Sequence, residues 1–423
     1  MALPAPTGPD TDVFTALESE VRSYCRGWPT VFDHARGSRI TDETGTSYLD
    51  FFSGAGALNY GHNNPVLKRA LLDYLERDGI THGLDMSTRA KREFLETFRD
   101  LVLAPRGMDH KVMFPGPTGT NAVEAALKLA RKVKRREVVV SFTNAFHGMS
   151  LGALAVTGNS FKRAGAGTPL AHSTPMPFDH YLDGQVPDFL WFERLLRDSG
   201  SGLGHPAAVI VETVQGEGGV NVARAEWLRG LAALCARHDM LLIVDDIQMG
   251  CGRTGGFFSF EEAGITPDIV TLSKSVGGYG LPMSLVLMRP ELDVWQPGEH
   301  NGTFRGNNPA FVTATAALRA YWSDGALRQR THDNGETVRG ALEEICARHP
   351  GSRHRGRGLV WGLEFEDPSR AAKVCARAFE LGLLVETSGP ESEVVKLMPA
   401  LTVHRDELAE GLELLARAVD ETP

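Results

Sequence analysis

Two ionisable residues close apolar runs in the middle of this 423-residue chain. Asp245 ends the run 241–244 and opens DDIQMGCGRTGG; Lys274 follows the run 269–272 in PDIVTLSKSVGG, 29 residues further on (245 to 274). A short apolar run bounded by polar, Gly or Pro signals reads as a strand buried on both faces. Ligands of open α/β sheets gather outside the carboxyl ends of the strands. An acid and an amine therefore stand where a ligand site forms. Ser273, Ser275, Gly277 and Gly278 flank the lysine with small side chains, which leaves room for a bulky group against its amine. Taken singly, an Asp at a strand end is usually a turn or cap residue, and a Lys there is usually solvated. The pair and its surroundings single these two out.

The elements that must position them alternate. Strand signals at 111–114, 138–142, 207–212, 241–244, 269–272 and 283–288 are interleaved with helical patterns at 120–133 and 225–237. That order predicts an α/β fold whose mostly parallel central sheet carries helices on both faces. Between the first strand and its helix lies FPGPTGT, a tight Gly- and Thr-rich loop. Unpaired N–H groups and the positive end of the helix dipole make such a loop a phosphate site. No Lys-Ser/Thr follows the glycines, so it is not a nucleoside-triphosphate loop. Upstream, a helix and loop at 13–35 precede a hairpin with strands 38–41 and 47–52. The Gly- and Asn-rich SGAGALNYGHNNP cannot be regular structure. Amphipathic helices are expected at 65–77 and 91–102. Downstream, helices at 309–322, 335–348, 371–381 and 406–419 with strands at 358–365 and 394–397 predict a smaller α+β domain.

Composition narrows the function classes. At 42 % hydrophobic and 23 % charged the chain is an ordinary globular protein with ample core. A net charge of −9 argues against nucleic acid as the main partner. The basic run RKVKRR lies at the polar end of a helix and reads as a solvated face. The five cysteines are scattered with no C-x-x-C pair, which fits a reducing cytoplasm and neither a structural disulfide nor a zinc site. No apolar run approaches a membrane span. The start, MALPAPTGPDTD, lacks a basic end and an apolar centre; it reads as a frayed tail, not a signal peptide.

VDDIQMGCGRTG resembles the D-E-V-Q-x-G-x-G-R-T-G signature of class III aminotransferases, and SKSVGGYGLP resembles that family's segment carrying the Schiff-base lysine. The resemblance extends from about Phe14 to the last helix. It implies a fold type I pyridoxal-phosphate-dependent transferase: residues 1–60 joining a small domain, 61–312 the large cofactor-binding domain, 313–423 the C-terminal small domain. It implies pyridoxal 5'-phosphate as cofactor, with Lys274 as Schiff-base and proton-shuttling residue and Asp245 paired with the pyridine nitrogen. FPGPTGTNA is similar to the family's phosphate segment, which assigns the phosphate to Gly119 and Thr120; Asn121 departs from the usual Glu. The aromatic-His-Gly triplet AFHG assigns ring stacking to Phe146 and places His147 near Asp245 or the ring. VETVQGEGG matches E-P-x-Q-G-E-x-G with Glu212 and Glu217, although Thr213 replaces the Pro. Ile247 would cover the ring face opposite Phe146, and Gln248 would reach the ring hydroxyl. The T-F-x-G-N-P segment implies that Thr303 reaches the phosphate of a neighbouring subunit, so the active site is shared within a homodimer or higher homo-oligomer. The G-H-x-x-P loop at 53–60 is either a plain connector or a substrate-contacting loop.

Many relatives bind the substrate α-carboxylate with an Arg in R-L-x-P-P-L. Here KLMPAL puts Lys396 at that position, and an ammonium cannot grip a carboxylate with two parallel bonds. A Glu217–Lys396 pair, closed for the ω-amine substrate and open for glutamate, is the expected substitute. The whole pattern is most similar to the subgroup of ectoine synthesis, a compatible-solute pathway. That implies L-glutamate as donor, L-aspartate 4-semialdehyde as acceptor, and L-2,4-diaminobutyrate and 2-oxoglutarate as products. An ornithine- or 4-aminobutyrate-type ω-aminotransferase, or an intramolecular aminomutase, shares the same motifs and differs in the pocket.

Overall fold

Continuous apolar runs build the central sheet of the computed structural model, which describes residues 11–182 and 189–422. Across the sheet the seven strands run Lys111–Met113, Leu285–Met288, Ile269–Leu272, Leu241–Asp245, Ala208–Val211, Val139–Phe142 and Ser173–Met176. Leu285–Met288 is antiparallel to both neighbours; every other pairing is parallel. Successive residues of a strand point to opposite faces, so each run feeds two cores. Leu241, Ile243, Ile269 and Ile210 pack under the helix Gly119–Lys134. Leu242, Val244, Val270 and Val211 pack into the larger core opposite. The helix presents Ala122, Ala126 and Ala130 to the sheet, small side chains that let it approach closely. The structural relatives below share this α/β architecture, as the strand and helix alternation predicts.

Two four-stranded sheets accompany the central one, besides a two-stranded pair, Val214–Gln215 with Asn221–Val222. Phe32–Arg36, Arg39–Asp42 and Ser47–Asp50 form a meander, and Leu383–Leu384 adds to it in parallel, with Leu383 opposite Leu49. The beginning of the chain is thus bonded to a strand near its end. The other sheet runs Ser352–Arg357, Val360–Phe365, Val394–Leu397, Glu386–Ser388, all antiparallel. The basic run is largely paired: Lys132 meets Glu299, and Lys134 and Arg136 both meet Asp239. The expected frayed tail falls mostly on residues 1–10, outside those described.

Some boundaries differ from expectation for visible reasons. The strand Phe32–Arg36 lies where only helix and loop are expected, because FDHAR is a largely exposed edge without apolar alternation. The strand Ser173–Met176 is an edge strand containing Pro175, a residue that breaks the strand signal but is tolerated at an edge. The helix expected at 335–348 begins at Ala326. Gly335 is a packing point inside it: a Cβ there would lie 2.2 Å from the Gly358 carbonyl oxygen. The loop at 53–60 opens with a tight turn, Ser53–Gly56, in which Gly54 and Ala55 are left-handed.

Candidate active site

The carboxyl ends of four parallel strands and the start of the helix Gly119–Lys134 converge on one cavity of about 180 Å³. Asp245 and Lys274 both line it. Asp245 ends its strand opposite Thr271. Its Oδ1 accepts from Thr271 Oγ1 at 3.1 Å and from the Ile247 N–H at 3.2 Å. Its Oδ2 lies 2.7 Å from His147 Nδ1, with both side chains buried. Burial alone would lower the His147 pKa; the hydrogen bond to Asp245 and the charges of Asp245 and Glu212 outweigh it and raise the pKa above its ordinary value. The other ring nitrogen of His147, Nε2, is buried without a partner.

Lys274 leaves its strand in a single 3₁₀ turn, Lys274–Gly277, with φ of +50°. A non-glycine residue in that region carries backbone strain, which surrounding structure must hold in place. Its Nζ donates to the Ala55 carbonyl at 2.7 Å, so the early loop reaches the amine. Burial lowers the Lys274 pKa; Glu217 opposes that shift and Lys396 adds to it. A depressed lysine pKa is what a nucleophilic or proton-carrying amine requires.

Gly119 and Thr120 form another wall. A Cβ on Gly119 would come within 3.0 Å of Ile247 Cδ1, so only glycine leaves the space beside Ile247 open. Gly148, at φ +128°, would likewise push a Cβ to 2.6 Å from Thr120 Oγ1. Asn121, the departure from the family pattern, closes the loop: its Oδ1 accepts from Thr118 N–H at 3.2 Å and Thr118 Oγ1 at 2.8 Å. Phe146, Ile247 and Gln248 also line the cavity. The Phe146 ring carries the Lys162 ammonium 4.3 Å from its centroid, a cation–π contact. Gln248 Nε2 donates to the Ala55 carbonyl and to Glu217 Oε1, each at 3.0 Å.

The two glutamates of VETVQGEGG are both at the cavity but differ in charge. Glu212 accepts from the Phe146 N–H at 2.9 Å; burial pushes its pKa up to about 8, against the pull of His147. Burial would raise Glu217 too, but Lys396 and then Lys274 draw it well below the usual carboxylate range. Lys396 itself is fully buried, 2.6 Å from Glu217 Oε1 and 3.0 Å from Glu386 Oε1. Burial disfavours its charge, yet those two carboxylates raise its pKa above the ordinary lysine value. A carboxyl whose folded pKa is raised favours the fold below its unfolded pKa, and that contribution is lost as pH rises through the folded value. Glu212→Gln is therefore expected to melt near wild type at pH 5 and progressively above it toward pH 8. Thermal unfolding of the cofactor-free protein at both pH values tests this; a constant difference would contradict it.

Of the predicted residues, Gly119, Thr120, Phe146, His147, Glu212, Glu217, Asp245, Ile247, Gln248 and Lys274 line this cavity. Lys396 touches it through Glu217. Thr303 does not reach it: Thr303 is exposed on a separate turn, Thr303–Arg305, with its carbonyl 2.7 Å from His82 Nε2. A larger groove of about 560 Å³ beside Trp295 and Arg305 contains none of these groups. Glu386 carries no sequence signal; the Ala55 carbonyl falls in the 53–60 loop, and Arg253, outside the cavity, belongs to the GRTG signature. Arg253 is fully buried, donating from Nη1 to Leu359 O at 2.9 Å and from Nη2 to Asn59 Oδ1 at 2.6 Å. A third bond goes to Pro399 O. Its place in the GRTG signature was the available clue.

Full-length similarity agrees with this geometry. The family described as aminotransferase class-III matches residues 24–419. The chain is 76 % identical over 416 residues to a diaminobutyrate–2-oxoglutarate transaminase of Streptomyces anulatus, covering 98 % of this chain and 99 % of that one. It is 55 % identical to one from Virgibacillus pantothenticus, covering 95 % and 97 % respectively. Among solved structures it is similar to the ornithine aminotransferase of Toxoplasma gondii, in a crystal described with partial occupancy of PLP at the active site. That match has a TM-score of 0.84 and 26 % identity, over 97 % of this chain and 93 % of the other. With the lysine, the acid and the glycine wall in one cavity, and a family match running almost from end to end, the chain belongs to the class III aminotransferases.

Proposed function

We propose that this chain is a pyridoxal-phosphate-dependent transaminase that moves the amino group of L-glutamate to L-aspartate 4-semialdehyde, yielding L-2,4-diaminobutyrate and 2-oxoglutarate. The observation that carries the chemistry is the convergence of Lys274 and the Asp245–His147 pair on one cavity. The acceptor rests on the near-complete match to transaminases of that name. The cavity residues fit the cofactor: a glycine wall that a Cβ would fill, a depressed lysine, and a buried His147 Nε2 lacking a partner.

Pyridoxal phosphate, when bound, supplies an electrophilic carbon and an electron-accepting ring. Lys274 holds the cofactor and, once released, carries the proton from the substrate carbon. Asp245 is a fixed anion for the pyridine nitrogen, oriented by Thr271, Ile247 N–H and His147. Phe146 and Ile247 would enclose the ring. Gln248, which touches Glu217, would reach the ring hydroxyl, and Glu212 holds the Phe146 backbone. Gly119 and Thr120 take the phosphate at a helix N-terminus. Glu217 would face the far end of the substrate, with Lys396 buried behind it; their contact at 2.6 Å corresponds to the closed form of the expected pair.

Thr303 would complete the phosphate site of a second subunit. Its exposure, together with that of Phe304 (66 %), Met86 (54 %) and Ile80 (51 %), supports a homodimer or higher homo-oligomer. The division at 60 and 312 into large and small domains is part of the same reading, as are a cytoplasmic location and a role in ectoine synthesis. All five cysteines are free, and among the described residues no helix is long and apolar enough to cross a membrane.

The test separates the two halves. Glutamate alone should bleach the visible band of the loaded enzyme and release 2-oxoglutarate. Aspartate 4-semialdehyde should then restore the band and yield diaminobutyrate. A band indifferent to glutamate would reject the donor and favour an aminomutase. No band, even with added pyridoxal phosphate, would reject the cofactor.

A further inference from the structure

Lys396 is held by two acids, not one. Its strand neighbour directly across the sheet is Glu386, and directly opposed residues share one face. On the other side its neighbour is Gly362, which presents no side chain. The ammonium is therefore confined between Glu386 at 3.0 Å and Glu217 at 2.6 Å. Among the described residues no other ion pair reaches either carboxylate. Glu217 lines the cavity; Glu386, 6 % exposed, stands behind Lys396. With Lys274 committed to the cofactor, the cluster holds two carboxyls for one ammonium; burial raises the Glu386 pKa, Lys396 opposes that shift and Glu217 adds to it.

We propose that Glu386 is a specificity-determining residue. When ionised, it shares the Lys396 charge from behind and leaves Glu217 negative charge to select the substrate whose far end bears an ammonium. This rests on the proposed function. Aspartate 4-semialdehyde reacts at C4 and carries an ammonium beside a carboxylate at its other end. Glutamate reacts at C2 and carries only a carboxylate at its other end. Negative charge at Glu217 favours the ammonium of the first and disfavours the lone carboxylate of the second. A bound ammonium also favours the ionised form of Glu386, so the substrate and the acid reinforce each other. Glu386 also keeps Lys396 compensated when the Glu217–Lys396 pair opens for glutamate. Without it Lys396 would be a lone buried charge, which is strongly unfavourable.

The test is the effect of Glu386→Gln on the two half-reactions of the holoenzyme. The expected result is opposite signs: kcat/KM for aspartate 4-semialdehyde falls about tenfold, chiefly through KM, while that for glutamate holds or rises. Glu386→Asp, which keeps the charge, should retain the wild-type preference. A fall of equal size in both halves, or no change in either, overturns the proposal. If the glutamine variant does not fold, the unaltered enzyme still decides with succinic semialdehyde, which lacks the ammonium. At least tenfold poorer amination than the aspartate analogue is expected; equal amination overturns the proposal. A wild-type enzyme that ignores glutamate instead removes the function on which this rests, a separately visible result.

Discussion

Lys274→Ala is expected to lower turnover by about 10⁴-fold, the upper range for loss of a positioned proton carrier that is also a nucleophile. No neighbouring amine can replace it. Lys396 is fully buried between Glu217 and Glu386, and the Lys162 ammonium lies over the Phe146 ring. The fold should tolerate the change, because alanine relieves a partly buried cation and loses one hydrogen bond to the Ala55 carbonyl. The left-handed φ of +50° is as unfavourable for alanine as for lysine, so the change in melting temperature is small. Borohydride reduction gives an independent readout: wild type should retain the cofactor covalently and the variant should not. Turnover near the wild-type rate would remove Lys274 from the mechanism.

Asp245→Asn is the second large effect. Oδ1 accepts from Thr271 and from the Ile247 N–H, and Oδ2 sits against the His147 ring. An amide turns one acceptor into a donor and removes the charge. Two consequences follow. The pyridine nitrogen loses its fixed anion, and His147 loses the group that raises its pKa against burial. Turnover should fall about 10³-fold, the order for removing one preorganised electrostatic partner. Both half-reactions should slow alike, since the ring serves both. Unfolding free energy should drop by about 1–3 kcal/mol, the cost of a buried polar group left mismatched. Borohydride labelling of Lys274 should survive, unlike in Lys274→Ala. Wild-type rates in Asp245→Asn would contradict the role.

The five inner strands of the central sheet were legible because they are buried on both faces; the edge strand Ser173–Met176 was not. The run at 269–272 and the helix at 225–237 lie where periodicity puts them. Most of the cavity was legible too, because Asp245, Lys274 and the loop before Thr120 sit at strand and helix ends that burial patterns locate. What stayed hidden depends on pairing between distant segments. Glu386 is one acid in VETSG; its meaning comes from the register that sets it opposite Lys396. The Ala55 carbonyl is a backbone atom, invisible to residue type. Thr303, named by its motif for the phosphate of a neighbouring subunit, stands away from the cavity of its own chain.

Arg253 has consequences for how the protein opens. Its guanidinium joins Asn59, Leu359 and Pro399, segments from the early loop and the C-terminal region. Burial lowers its pKa to about 9, still well above neutrality, so the group stays charged. Separating any one segment strands a buried cation and several carbonyls at once. The amides around these three segments should therefore exchange with deuterium together, in one cooperative opening, whereas the exposed strand Phe32–Arg36 exchanges independently.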